Sequence, residues 1–317
     1  MKLFTSVHDI PNVQELVQEA ISLKKSPYTH SDLGQNKTIG CVFLNPSLRT
    51  RLSTQKAAQN LGMTPIVLNA DKEAWALEFE DDVIMNGTTV EHVKESAAVM
   101  GKYFDILAIR CFPGLVSRED DYSEKILNQF IKYAGIPVIS LESGTRHPLQ
   151  SFADLITITE HKKKDKPKVV LTWAPHVKAL PQAVPNSFAE WMCKGDVDFV
   201  ITHPEGYELD EQFTWNAKIT HNQDEALKDA DFVYVKNWST YKPEYGKILT
   251  QDASWLLTNE KLKLTNNAGV MHCLPVRRGM ELSNEVLDGP NSLVIQQAEN
   301  RIYSAQAVIK KILETIK

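Results

Sequence analysis

The stretch TIGCVFLNPSLRTRLSTQKAAQNL, residues 38–61, decides the architecture. Thr38–Leu44 is an apolar, β-branched run of strand length with no helical period. Asn45-Pro46 breaks it, and Ser47-Leu48-Arg49-Thr50-Arg51 then opens a helix predicted over 50–62. A strand that turns straight into a helix is half of a β-α-β unit, and the same alternation repeats along most of the chain. Further strands are predicted at Pro65–Leu68, Asp105–Arg110, Pro137–Leu141, Lys168–Trp173, Asp198–Ile201, Asp231–Val235 and Gly269–His272. Further helices are predicted near 12–25, 90–101, 121–134, 148–162, 184–194, 223–229 and 298–316. Thr88 with Glu91 reads as a capping box for helix 90–101, and Pro185 falls in the first turn of helix 184–194. Alternation of this kind favours an α/β fold with parallel sheets covered by helices on both faces.

At 317 residues the chain is long enough for two domains. The strand–helix pattern runs for four strands, passes Ser143–Gln150 and restarts, so the expected division is 1–145 and 146–297. The last helix, 298–317, carries one apolar stripe of Ala298, Ile302, Ala305, Ile309, Ile312 and Ile316. It either finishes the second domain or folds back on the first. An apolar fraction of 43% and a charged fraction of 24% exclude disordered and fibrous classes. A net charge of −5 argues against nucleic acid or an anionic membrane as partner. No apolar run reaches the length of a membrane span or a signal peptide. Cys41, Cys111, Cys193 and Cys273 show no metal-type spacing, which suits reduced thiols and a cytoplasmic setting.

The helix start after Thr38–Leu44 is an anion site in outline. Its first backbone N–H groups and positive dipole end suit a phosphate, Ser47 and Thr50 add hydroxyls, and Arg49 and Arg51 add rigid forks. No GxxxxGK[ST] and no GxGxxG after a strand are present, so neither nucleotide motif applies. The plain alternative is a capped helix with two surface arginines. Three other sites also follow predicted strands, where open α/β sheets collect ligands. Arg110 ends one strand, His147-Pro148-Leu149-Gln150 follows the next, and His272-Cys273-Leu274-Pro275 ends the last. Each has its own plain alternative, a hydrogen-bonded scaffold histidine or a small buried cysteine.

Ser-x-Arg-Thr-Arg, then Arg110, His-Pro-x-Gln and His-Cys-Leu-Pro, in this order, resemble the aspartate/ornithine carbamoyltransferase family over essentially the whole chain. The resemblance implies a carbamoyl phosphate domain, an amino-acid domain with the active site in the cleft between them, and a terminal helix packed back on the first domain. It implies a homotrimer with shared active sites, in which Trp75 reaches the neighbouring subunit's carbamoyl phosphate site. It assigns the donor to Ser47, Leu48, Arg49, Thr50, Trp75, Arg110, His147, Gln150 and Arg301. Arg110 and His147 would polarise the carbamoyl oxygen, and Gln150 would accept from the carbamoyl NH2. The Leu274 carbonyl and Cys273 would orient the attacking amine. No metal or organic cofactor is expected, because the leaving phosphate is already activated.

Within the family the second domain lacks the Ser-Met-Gly of ornithine enzymes and reads Val235-Lys236-Asn237-Trp238-Ser239 instead. Together with Trp75, Glu142 and Trp173-Ala174-Pro175-His176, this is similar to N-acylornithine carbamoyltransferases of arginine biosynthesis. The implied acceptor-binding residues are Val90, Glu142, His176, Lys236, Cys273, Leu274 and Arg278. Acetylornithine enzymes place a glutamate at the position matching Val90, and an uncharged residue there favours N-succinylornithine over N-acetylornithine. Ornithine or aspartate as acceptor, and a non-catalytic anion-binding paralogue, are the competing readings. The role of Glu281 is open.

Overall fold

The computed structural model describes residues 1–317 except Ala74, Asn216, Pro243 and Lys317, and except the side chain of Asp71. The chain divides into two units. One comprises Met1–Gly114, Glu119–Leu149 and Arg301–Lys317, and the other Leu115–Arg118 and Gln150–Asn300.

In the first unit the strands are β1 (Leu3–Phe4), β2 (Thr38–Phe43), β3 (Thr64–Asn69), β4 (Ile106–Arg110) and β5 (Val138–Glu142). They form one sheet in the order β1-β5-β4-β2-β3, every neighbouring pair parallel. From β2 the chain goes to β3 on one side and then to β4 on the other, so the switch point lies between β2 and β4. Ligands of open α/β sheets bind at the carboxyl ends of strands at such a point. The helices include α1 (Val13–Lys25), α2 (Arg49–Asn60), α3 (Val93–Tyr103) and α4 (Lys125–Ala134). Asn12 caps α1 by accepting from Glu15 N at 3.1 Å, and Val13, Leu16, Val17, Ala20 and Leu23 form its buried stripe. Val42, Leu107, Ile109, Leu127, Phe130 and Val138 belong to one buried cluster between sheet and helices.

The second unit repeats the plan with β6 (Lys168–Trp173), β7 (Asp198–Thr202), β8 (Lys218–Thr220), β9 (Phe232–Lys236) and β10 (Gly269–Met271). Their order is β8-β7-β6-β9-β10, again all parallel, with the switch point between β6 and β9. Val170, Val200, Val233, Val235 and Val270 share its core. Helix α5 (Pro148–His161) starts in the first unit, and α6 (Ala183–Lys194) belongs to the second. Helix α7 (Val294–Leu313) runs from the second unit into the first. Among the described residues no helix is long and apolar enough to cross a membrane.

One local expectation is corrected. Glu91–His92 is a short strand paired with Leu77–Glu78, so α3 starts at Val93 with His92 as its cap and the Thr88/Glu91 capping box does not form. The His92 ring accepts from Lys94 N at 3.1 Å, a capping role that the usual Ser/Thr/Asp/Asn signature does not reveal. Between β3 and that strand pair lies the helical turn Ala70–Glu73. Gly101 is required by close packing: a Cβ there would stand 1.9 Å from the Ala134 carbonyl oxygen at the end of α4. Gly101→Ala should therefore lower stability by about 1–3 kcal/mol through overpacking. Urea unfolding should show a lower midpoint at an unchanged slope.

Candidate active site

The carboxyl end of the first sheet gathers charge. Helix α2 follows the β2 turn with Leu48 at its cap position and no side-chain cap, so its leading N–H groups stay open. Arg49 and Thr50 are its first two residues, Ser47 is partly exposed, and Leu48 is exposed. Arg110 ends β4. A register shift brings it opposite Glu142 at the end of β5, and its Nη1 donates to Glu142 Oε2. Arg301, on α7, donates from Nη2 to Thr50 Oγ1 at 2.5 Å. The same Nη2 stands 3.4 Å from His147 Nε2, and Glu142 Oε2 is 3.5 Å from that nitrogen. His147 itself is held by the loop before it. The carboxylate of Glu124, a residue in left-handed backbone, accepts from Ser143 Oγ, Gly144 N and Thr145 N.

Burial, then Arg301, Arg110 and Arg49, pushes the His147 pKa well below its usual value, so the ring is neutral. Its Nε2 faces both a donor, the Arg301 guanidinium, and an acceptor, the Glu142 carboxylate. His147 Nδ1 is buried and has no hydrogen-bond partner among the described residues.

The second unit places a different set together. Gln150 lies on α5, its Nε2 donating to Asp154 Oδ1 at 2.8 Å, one turn further along. That bond fixes the amide, and its buried Oε1 has no partner among the described residues. Gln297 Nε2 donates to the same Asp154 oxygen at 2.7 Å, and Gln297 Oε1 accepts from His272 N at 2.8 Å. His272 Nδ1 accepts from Leu274 N at 2.9 Å, so its proton is on Nε2, 3.2 Å from Glu281 Oε1. Glu281 Oε2 accepts from Arg277 N at 2.9 Å. Burial would raise the Glu281 carboxyl, but His272, Lys236 and the Arg277 N–H bring it down to about 2. The turn so held leaves Leu274 at φ +55°, in left-handed backbone. Burial raises the partly buried Cys273 thiol despite Lys236, so it is a thiol and not a thiolate at neutral pH. Lys236 ends β9 and is buried.

The remaining expected residues fall elsewhere. His176 accepts from Arg277 Nε at its Nε2, 3.1 Å away, whereas the expected Arg278 forms an exposed bidentate pair with Asp288 at 2.7 Å. Trp75 is half exposed and donates from Nε1 to Glu91 at 2.8 Å, and Val90 is 65% exposed. Sequence reasoning missed Asp154, Gln297 and Arg277 and left Glu281 open. The i, i+4 spacing of Gln150 and Asp154 was a readable signal, but Gln297 and Arg277 act across distant segments.

An anion cradle on one parallel sheet and an amide, thiol and ammonium group on the second meet the pattern of a known family. Residues 2–160 match the family model described as the aspartate/ornithine carbamoyltransferase carbamoyl-P binding domain, and residues 181–312 match its Asp/Orn binding domain. The chain belongs to the aspartate/ornithine carbamoyltransferase family. Among its relatives in this family, the N-succinylornithine carbamoyltransferase of Bacteroides thetaiotaomicron is 54% identical over 99% of both chains. The N-acetylornithine carbamoyltransferase of Xanthomonas campestris pv. campestris is 34% identical over 93% of this chain and 94% of the relative. A mutant N-acetyl-L-ornithine transcarbamylase, with one glutamate replaced by alanine, has been solved with carbamyl phosphate and N-succinyl-L-norvaline. That carbamoyltransferase superposes with a TM-score of 0.91 at 33% identity, covering 98% of this chain and all of the other.

The Glu281 geometry sets a pH dependence. A carboxylate whose folded pKa is lowered contributes stability that is present above its ordinary value of 4.5 and lost as pH falls from there towards 2. The contribution is on the order of 3 kcal/mol. Glu281→Gln should be less stable than wild type at pH 7, yet its unfolding free energy should fall less steeply below pH 4.5. Parallel pH profiles in chemical denaturation would refute the assignment.

Proposed function

We propose that the chain transfers the carbamoyl group of carbamoyl phosphate to the side-chain amine of N-succinyl-L-ornithine, releasing phosphate. The observation that carries this reading is full-length identity of 54% to an N-succinylornithine carbamoyltransferase against 34% to an N-acetylornithine enzyme. The site chemistry supports the donor. Arg49, Arg110 and Arg301 surround His147, and charge-assisted bonds from guanidinium groups suit the oxygens of a phosphate dianion.

In the proposed reaction, Arg49, Ser47, Thr50, Arg301 and the α2 N–H groups hold the phosphate, with Leu48 contributing backbone. Arg110 and neutral His147 donate to the carbamoyl oxygen as it gains charge. The free Oε1 of Gln150 accepts from the carbamoyl NH2. The acceptor's amine must be uncharged to attack, and the Leu274 carbonyl with Cys273 orients it. A C–N bond forms, the C–O bond to phosphate breaks, and the departing phosphate takes the amine proton. On this reading the first unit is the donor domain and the second the acceptor domain. Lys236 and Arg277-linked His176 are well suited to the acceptor's carboxylates. Arg278, tied to Asp288, would have to leave that exposed pair to join them.

Val90 supports the succinyl acceptor. A glutamate there would repel the distal succinyl carboxylate by roughly 4 kcal/mol at 4 Å and an effective dielectric of 20. The solved relative with N-succinyl-L-norvaline has lost a glutamate. The wild type should give a higher kcat/KM with N-succinylornithine than with N-acetylornithine, and Val90→Glu should shift that ratio at least tenfold towards acetyl. Efficient citrulline formation from free ornithine, or a wild type that prefers the acetyl compound, would sink the acceptor assignment. A place in arginine biosynthesis and in the cytoplasm follows from that activity.

The proposed assembly is a homotrimer in which Trp75 enters a neighbouring subunit's donor site. Arg49→Ala and Trp75→Ala should each lose at least 99% of kcat. Their exchanged mixture should regain activity, because some hybrid sites carry neither change. Mixed trimers that stay inactive would exclude sharing through Trp75.

A further inference from the structure

A second group of chemistry-bearing side chains lies at the ends of strands the proposed reaction does not use. β7 and β8 pair in parallel with Thr202 opposite Thr220. The next residues, His203 and His221, therefore leave the sheet side by side, with ring centroids 5.1 Å apart. Glu208 returns towards them through a turn at Gly206, whose φ is +88°. This turn is pinned. Tyr207 is buried, its hydroxyl accepts from Leu249 N at 2.8 Å and Thr250 N at 3.1 Å, and its carbonyl accepts from Trp238 Nε1 at 2.8 Å. Ring nitrogens of His203 and His221 and a carboxylate oxygen of Glu208 lie within 4.8 Å of one another.

The protonation pattern is that of ligands. His203 Nδ1 is 2.8 Å from the Pro204 carbonyl oxygen, and His221 Nδ1 is 3.0 Å from that of His203. A carbonyl only accepts, so each ring carries its proton on Nδ1 and keeps Nε2 as a lone pair. His203 Nε2 is buried and has no hydrogen-bond partner among the described residues. His221 Nε2 is 4.0 Å from Glu208 Oε1. Metal-binding histidines are oriented in this way, one ring N–H donated to a backbone carbonyl and the other nitrogen left for the metal.

We propose that His203, Glu208 and His221 bind a divalent cation of the zinc class, with solvent completing the coordination. Two imidazoles and one carboxylate suit zinc, cobalt or nickel and disfavour magnesium and calcium, which take oxygen ligands. Ligand atoms around a tetrahedral zinc ion stand about 3.3 Å apart, given metal–ligand distances of about 2.0–2.2 Å. The half-exposed side chains of Glu208 and His221 supply the closing movement, and the buried ring of His203 is the anchor. A bound cation ties β8, the three-residue edge strand, to β7.

The test uses the full-length protein stripped with a chelator. Isothermal titration with zinc chloride should show one ion per chain at micromolar affinity or tighter, and cobalt should give visible absorption of a low-coordinate site. His221→Ala and Glu208→Gln should each weaken binding at least tenfold and cancel the zinc-induced rise in Tm, while Cys273→Ser should leave both unchanged. Absence of saturable binding, or binding that survives His221→Ala and is lost in Cys273→Ser, overturns the proposal.

Discussion

Confinement of three arginines around one neutral histidine is the constraint on which the first unit's site depends. Like charges brought out of water repel and lose hydration, and one carboxylate compensates only part of that cost. Glu142 neutralises Arg110 and also approaches His147, so it restrains both at the end of β5. Each arginine is placed by a different element, α2, β4 and α7, so the cradle is set by backbone and not by flexible surface chains. A protonated His147 would add a fourth charge, and the pKa depression keeps the ring a neutral donor.

The second unit solves a different problem with carboxylates. Asp154 and Glu281 are buried; Asp154 binds Gln150 and Gln297 from two helices, and Glu281 binds His272 and Arg277 within one turn. Asp154 orients Gln150 and, through Gln297, the His272 backbone. Glu281 orients the His272 ring and the Arg277 backbone. The His272-Cys273-Leu274-Pro275 turn is thus fixed from two sides, which holds Leu274 in a conformation that an isolated chain would rarely adopt. Both carboxylates act by positioning neighbouring groups.

How much of this was legible in the sequence follows from what is local. The main strands were readable from apolar runs, and α2 and α5 from their turn residues, because parallel strands buried on both faces leave that signature. The short β1 and β8 were not, since two or three residues carry no period and form only where a neighbouring strand supplies the ladder. His92 as a cap, in place of Thr88, shows the same limit at a helix start. In the site, Arg49, Thr50, Arg110 and His147 were readable because each adjoins a strand end. Arg277 in place of Arg278 against His176 was not, because adjacent residues on a turn are separated by side-chain direction, which only the folded loop sets.

Strand order accounts for where the remaining chemistry lies. Both sheets reverse direction once, between β2 and β4 and between β6 and β9, and the strands flanking those reversals end in the anion cradle, His176 and Lys236. Strands beyond a reversal end away from the switch point and are free of its demands. β10 is drawn into the site by its following turn, but β7 and β8 are not. A histidine follows each of those two strands, in register and with both Nδ1 protons already donated to carbonyls, and the buried His203 ring also packs edge-on against Trp238. His221 is half exposed and would be solvated as well by any polar side chain. Its pairing with a buried His203 is what a coordinating role requires and a solvated surface does not.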